Sequence, residues 1–473
     1  MINLKDIVLA LTDKTSPLLD LQVSSVVIDS RQASQGSLFI ALPGDQNDGH
    51  DYVQNAFDNG AVLAFVHKPM PNQLQTLDLR QELITPEQIN LERPLCLIVK
   101  DTLLALQTFA AYWRVKHPVR TIGITGSVGK TTTKELTASL LSQKFSVLKN
   151  PGNRNNEIGL PLTLLELEEG HEYAVLEMGF YIPGDIRTLC EIAQPQLGVL
   201  TNIGTVHAER AGSQETIAKG KAELIEMLPS GPEGVAVLNM DDAYVSAMAG
   251  KTRADIFSYG IEQEADLTAA NVESLGLKGL SLDLVFHGEP HRIHSPLLGE
   301  FSAYTILRAA AVALTEGLEW EAIEAGIASS QINLRMRQFT LPNGSVILDD
   351  TYNASPASTK AGLKLLGNLE GRRIAILGDM LELGPYERSG HADIGKFAAK
   401  IADILILVGE RSRTTAESAL EAGFPEKHIH WYPTAIEAKD TAEQIVQTGD
   451  VVLIKGSNSM CMDQITATLE GKS

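Results

Sequence analysis

The feature that most restricts what this chain can become is a series of short, continuous apolar runs. They are TIGIT (Thr121 to Thr125), YAVLEM (Tyr173 to Met178), LGVLTNI (Leu197 to Ile203), VAVLN (Val235 to Asn239), VILDD (Val346 to Asp350), IAILG (Ile374 to Gly378), ILILV (Ile404 to Val408) and VVLIK (Val451 to Lys455). A strand with one face in water alternates apolar and polar residues, so a run that is apolar throughout must be covered on both faces. The segments between most runs have helical spacing, as at Leu136, Leu140 and Leu141. This alternation predicts parallel sheets flanked by helices, an α/β chain. At roughly 150 residues per domain, the 473 residues suggest about three domains.

Boundaries follow from changes of character along the chain. Residues 1–100 hold a short strand, VVIDS, a Gly/Asp-rich turn from Gly44 to His50, and a polar stretch from Met70 to Arg93 that reads as an irregular insertion. A central α/β block spans 101–332 and includes the helical stretch Ala303 to Leu314, and a third block spans 333–473 with its first strand at Val346.

Charge and cysteine usage narrow the function classes. Lys plus Arg number 39 against 59 Asp plus Glu, a net charge of −20, which is the wrong sign for a general binder of nucleic acid or of anionic membranes. Cys96, Cys190 and Cys461 show no C-x-x-C spacing, which argues against a disulfide framework or a cysteine zinc site. The amino-terminal MINLKDIVLALTDK has no basic leader, and no run approaches the roughly 18 apolar residues of a membrane span. A cytoplasmic protein without membrane insertion is expected.

The strongest local signal is TGSVGKTTT, Thr125 to Thr133, between a strand and an amphipathic helix. Glycines there let successive N–H groups face phosphate oxygens, Lys130 can reach the β- and γ-phosphates, and Thr131 can ligate Mg²⁺. Gly126, Ser127, Val128, Gly129, Lys130, Thr131 and Thr132 form the expected ATP cradle. A strict P-loop has glycine at position 124, where this chain has Ile124, its glycines being Gly123, Gly126 and Gly129. The competing reading is a Gly/Thr-rich capping turn; the strand-loop-helix context favours ATP.

TGSVGKTTT resembles the loop of the Mur ligases, ATP-dependent amide-bond enzymes of peptidoglycan precursor synthesis, and the resemblance runs almost end to end. DDTYNASP (Asp349 to Pro356) and GDMLELG (Gly378 to Gly384) resemble the branch that adds D-Ala-D-Ala, and IDSR (Ile28 to Arg31) with LPGDQNDGHDYVQNAFDNGA (Leu42 to Ala61) resembles the uridine-nucleotide domain. The family implies three domains: a small α/β UDP-substrate domain, a central P-loop ATPase domain with a mostly parallel sheet, and a C-terminal Rossmann-like domain. It implies that Ser30, Arg31, Asp48, His50 and Asn156 contact UDP-MurNAc-tripeptide, and that Tyr352 and Asn353 lie near D-Ala-D-Ala.

For the chemistry, the resemblance implies catalytic Lys130, Glu177, His207 and Lys221, with Thr131, Glu177 and His207 as Mg²⁺ ligands. It aligns Lys221 with a lysine that becomes a carbamate, Arg335 with an interdomain phosphate contact, and Asp350 with the carboxylate that binds ribose. Read alone, Glu177 could be a strand-end salt-bridge partner, His207 a hydrogen-bonded loop residue, Lys219 and Lys221 helix-surface charges, and Asn353 a turn builder. Two segments depart from the family pattern: GEFSAYT (Gly299 to Thr305) stands where relatives have G-x-H-N-x-x-N, and GFYIPGDI (Gly179 to Ile186) lacks an Ala-Asn-His. No G-x-G-x-x-G follows the third-domain strands, which speaks against a nicotinamide site. The expected reaction is ATP-dependent ligation through an acyl phosphate, carried out by a monomer. Rivals are a sister ligase adding one amino acid, and a P-loop switch protein that makes no amide.

Overall fold

The computed structural model describes residues 1–15, 19–44, 47–81, 89–329 and 336–471. The chain forms two compact units, one of residues 1–122, 145–179 and 187–195, the other of 123–144, 180–186 and 196–473. The strand Arg120–Thr125 passes from the first into the second.

In the first unit, strands Ser25–Val27, Ser37–Ile40, Leu63–Val66, Leu95–Ile98 and Gln75–Asp78 form a parallel sheet in that spatial order. Ser37–Ile40 and Leu63–Val66 are buried at every position, as continuous apolar runs require. Phe39, Val53, Phe57 and Val66 fill one face of the sheet. Met70 to Arg93 is not wholly irregular: Gln75–Asp78 adds an edge strand that buries only Leu77. One apolar residue in four gives too little periodicity to read as a strand. Helix Thr102–Lys116 starts at Asp101, whose carboxylate accepts from the Leu104 N–H, and carries Trp113 inward, where its indole donates to the Leu167 carbonyl at 3.1 Å. Strand Tyr173–Glu177 pairs in parallel with Val147–Lys149.

In the second unit, Leu197–Leu200, Val235–Asn239, Asp255–Gly260 and Leu267–Ser274 run parallel as successive neighbours. An antiparallel hairpin, Leu280–Phe286 with Glu289–Ser295, follows. Helix Ala303–Thr315 packs against Lys130–Leu141 and buries Ala309, Ala310, Ala311 and Ala313, small residues that permit close helix approach. A six-stranded sheet completes the unit, in the order Arg337–Thr340, Val346–Asp350, Val451–Lys455, Arg373–Gly378, Ile404–Val408, Ile429–Tyr432. Only its first pairing is antiparallel. Leu348, Leu377, Leu405 and Leu453 pack into one hydrophobic cluster, and Ile347, Ile376, Ile406 and Ile454 into another. Alternate residues of each run thus enter different clusters, which accounts for continuous apolar sequence. Among the described residues no helix is long and apolar enough to cross a membrane.

Candidate active site

The loop after Arg120–Thr125 turns on two glycines in the left-handed half of backbone space, Gly126 at φ 144° and Gly129 at φ 86°. Gly129 caps helix Lys130–Leu141 without a side-chain hydrogen bond. Asn202 pins the loop from below. The Val128 N–H donates to its Oδ1 at 3.0 Å, its Nδ2 donates to the Val128 carbonyl at 3.1 Å, and the Ser127 N–H donates to its carbonyl at 2.9 Å. Lys130 folds over the loop, its Nζ donating to the Gly126 carbonyl at 2.9 Å. Thr131 and Thr132 follow, both half-buried on the first turn.

Gly126 has no room for a side chain, since a Cβ there would lie 1.8 Å from Thr201 Oγ1. Gly126→Ala is therefore expected to shift the loop, to destabilise the fold by about 1–3 kcal/mol, and to weaken nucleotide binding. Denaturant titration and ADP binding on the same preparation check both effects.

Lys221 reaches the same loop. Helix Gln214–Glu226, capped by Ser213, buries Lys221 completely, and its Nζ donates to the Gly126 carbonyl at 2.9 Å while lying 4.8 Å from the Phe180 ring centre. The helix-surface reading fits exposed Lys219 and fails for Lys221.

A cavity of about 400 Å³ opens beside the loop. Ser127, Gly129 and Thr132 lie on its wall together with Asp350, Asn353 and Lys455. Lys455 is 2% exposed. Its ammonium pairs with the Asp350 carboxylate and donates to the Asn353 carbonyl at 2.9 Å, fixing both. Ser302 and Thr305 also line the cavity. Tyr352 is exposed. Arg335 lies outside the described residues.

His207 adopts φ 70°, a backbone conformation uncommon outside glycine, and its Nδ1 is 2.6 Å from Glu382 Oε2 in the GDMLELG segment. Burial pushes the imidazole below its ordinary pKa, with Glu382 opposing. A neutral ring that donates from Nδ1 to the carboxylate leaves Nε2 as an acceptor, the form in which histidine binds metal.

The remaining predicted residues lie in the first unit. Glu177 ends Tyr173–Glu177 almost fully buried, and its Oε1 accepts from Asn155 Nδ2 at 2.8 Å. Asn150 brackets the Glu177 backbone from both sides. Asn156 accepts from the Gly159 N–H at 2.8 Å, so its side chain helps start helix Gly159–Leu164. Ser30 and Arg31 follow Ser25–Val27, and Asp48 and His50 follow Ser37–Ile40; since these strands are parallel neighbours, the two turns lie at one end of the sheet. Arg31 pairs with Asp29 at 2.7 Å. Asp48 is held well below the usual carboxylate range, first by Lys68 and then by His50. His50 donates from Nδ1 to Asp48 at 2.6 Å and accepts the His67 N–H at 3.1 Å.

Among the described residues no group of three or more His, Cys, Asp or Glu could hold a metal. Mg²⁺ takes only one or two carboxylates beside phosphate oxygens and water. Taken singly, the hydroxyl of Thr131 and the carboxylate of Glu177 are oxygen donors of the kind Mg²⁺ takes, and the acceptor nitrogen of His207 is a softer donor. Sequence reading missed Asn202, Glu382 and Lys455, although each lies within a run or motif already noted.

Comparison with known proteins agrees across the chain. Residues 22–112 match the Mur ligase family catalytic domain, 124–313 the Mur ligase middle domain and 334–458 the Mur ligase glutamate ligase domain. The UDP-N-acetylmuramoyl-tripeptide–D-alanyl-D-alanine ligase of Synechocystis sp. is 36% identical over 95% of this chain and 92% of its own. The Escherichia coli ligase of the same description is 32% identical over 95% and 94%. MurF from Acinetobacter baumannii superposes with a TM-score of 0.84 at 29% identity, covering 99% of this chain and 98% of that one. MurF from Thermotoga maritima, solved in complex with ADP, gives a TM-score of 0.81 at 26% identity over 97% and 99%. The chain belongs to the Mur ligase family, in its MurF branch.

Proposed function

We infer that the chain is an ATP-dependent ligase that joins D-Ala-D-Ala to UDP-MurNAc-tripeptide, forming UDP-MurNAc-pentapeptide, ADP and phosphate in peptidoglycan precursor synthesis. The observation that carries this reading is the convergence of Lys130 and buried Lys221 on the Gly126 carbonyl, beside a cavity that DDTYNASP also lines. Relatives described as D-alanyl-D-alanine ligases and a similar MurF bound to ADP support it.

A terminal carboxylate oxygen of the tripeptide attacks the γ-phosphorus, the bond to ADP breaks, and an acyl phosphate forms. The dipeptide amine then attacks the acyl carbon, the bond to phosphate breaks, and the amine releases a proton. Carboxylate and triphosphate repel, so catalysis rests on positive charge and orientation. Residues Gly126 to Thr132 cradle the phosphates, Lys130 neutralises the transferring group, and Asp350, held by Lys455, binds ribose. Thr131, Glu177 and His207 would hold Mg²⁺, which would supply further positive charge to the transfer. Arg335 contacts phosphate, and Lys221 carries a carbamate. Ser30, Arg31, Asp48, His50 and Asn156 take the UDP-tripeptide, and Tyr352 and Asn353 the dipeptide. These roles divide over domains 1–100, 101–332 and 333–473 of a cytoplasmic monomer.

Amine-donor competition tests the reading. D-Ala-D-Ala is expected to be ligated efficiently, and free L-lysine or diaminopimelate hardly at all. Preference for a single amino acid would replace this function with that of a sister ligase.

A further inference from the structure

Arg308, on helix Ala303–Thr315, has no role in the account above. It is 3% exposed, yet it lines the cavity beside the phosphate loop. Its Nε donates to Thr133 Oγ1 at 2.9 Å and its Nη2 to Thr305 Oγ1 at 3.0 Å, and the Tyr259 hydroxyl is a further neighbour. All three are neutral. A buried guanidinium is costly unless an anion compensates it, and among the described residues no carboxylate forms an ion pair with Arg308.

Acids on the same cavity wall are committed elsewhere. Asp241 accepts from the N–H groups of Ile261 and Gln263 and from the Tyr304 hydroxyl. Asp242 caps Ala243–Ser246 and accepts the Ile203 N–H, and Asp350 pairs with Lys455. Arg308 also lies at a helix amino terminus. A Cβ on Gly129 would lie 2.9 Å from its Nη2, so the guanidinium sits against the residue that caps helix Lys130–Leu141. A cation at a helix amino terminus opposes the helix dipole, and the arrangement becomes favourable only when an anion joins both.

We propose that Arg308 is a nucleotide-binding residue that donates to the phosphate chain at the Gly129 end of the cavity. Thr133 and Thr305 hold the guanidinium plane, so its remaining donors are aimed before the nucleotide arrives. The proposal rests on the nucleotide reading of the cavity, which ADP binding by the wild-type chain tests separately.

The test is calorimetric titration of the full chain with ADP and with adenosine, for the wild type and for Arg308→Gln, Arg308→Met and Arg308→Lys. Loss of a charge-assisted hydrogen bond predicts that Gln and Met weaken ADP about 10- to 100-fold and adenosine less than about threefold. The ratio of the two affinities is taken on folded protein, which separates it from stability. If the neutral variants do not fold, Arg308→Lys carries the test, with ADP weakened about threefold to tenfold and adenosine unchanged. Equal losses for ADP and adenosine would make Arg308 a brace between two helices or a contact for the base, and no loss would make it a bystander. Either result overturns the proposal.

Discussion

Lys130→Ala is expected to lower substrate-dependent ADP release by roughly 10² to 10³-fold while the protein stays folded. The ammonium lies over the loop, where it donates to the Gly126 and Ser127 carbonyls. Charge on the transferring phosphoryl group rises as the bond to ADP breaks, and a fixed cation at that point stabilises the transition state more than the ground state. The half-buried side chain supplies little packing. Coupled ADP release at saturating substrates, with a thermal melt of the same sample, measures both parts. Near-normal turnover in the folded variant would take the phosphate loop out of the mechanism.

The second large effect is expected at Lys221. Lys221→Ala should lose roughly 100-fold or more in turnover, whereas Lys219→Ala, two residues away and exposed, should be mild. Lys221 is fully buried and donates to the Gly126 carbonyl. A carbamate forms when an amine nitrogen attacks CO₂ and loses a proton, which turns a cationic side chain into an anionic acceptor. A short-chain carboxylate added to Lys221→Ala is expected to restore part of the turnover by occupying the vacated space. Equal losses at Lys219 and Lys221 without such rescue would contradict the carbamate. Partial rescue would separate it from a structural lysine that merely supports the loop.

Much of the fold was legible because its signals are local. Continuous runs such as ILILV and VVLIK became strands buried at every position, and TGSVGKTTT became a loop ending in a helix. The edge strand Gln75–Asp78 was not legible, because sheet pairing rather than periodicity defines it. The groups that hold the site were harder to see. Asn202 supports Val128 across 74 residues, Arg308 reaches Thr133 across 175, and Glu382 meets His207 across another 175. Such contacts exist only once the strands are assembled, so no spacing rule exposes them. Lys219 and Lys221 show the same limit on a smaller scale: two lysines on one helix, one in solvent and one beneath the phosphate loop.

The central claim is that this chain makes an amide by transferring phosphate to the tripeptide carboxylate. Mass spectrometry of both products settles it when the terminal carboxylate of UDP-MurNAc-tripeptide is labelled with ¹⁸O and the reaction is run with ATP and D-Ala-D-Ala. The account predicts a pentapeptide product, formed together with inorganic phosphate that carries one labelled oxygen from the carboxylate. Unlabelled phosphate, label in AMP, or ATP consumption without a new amide would contradict it.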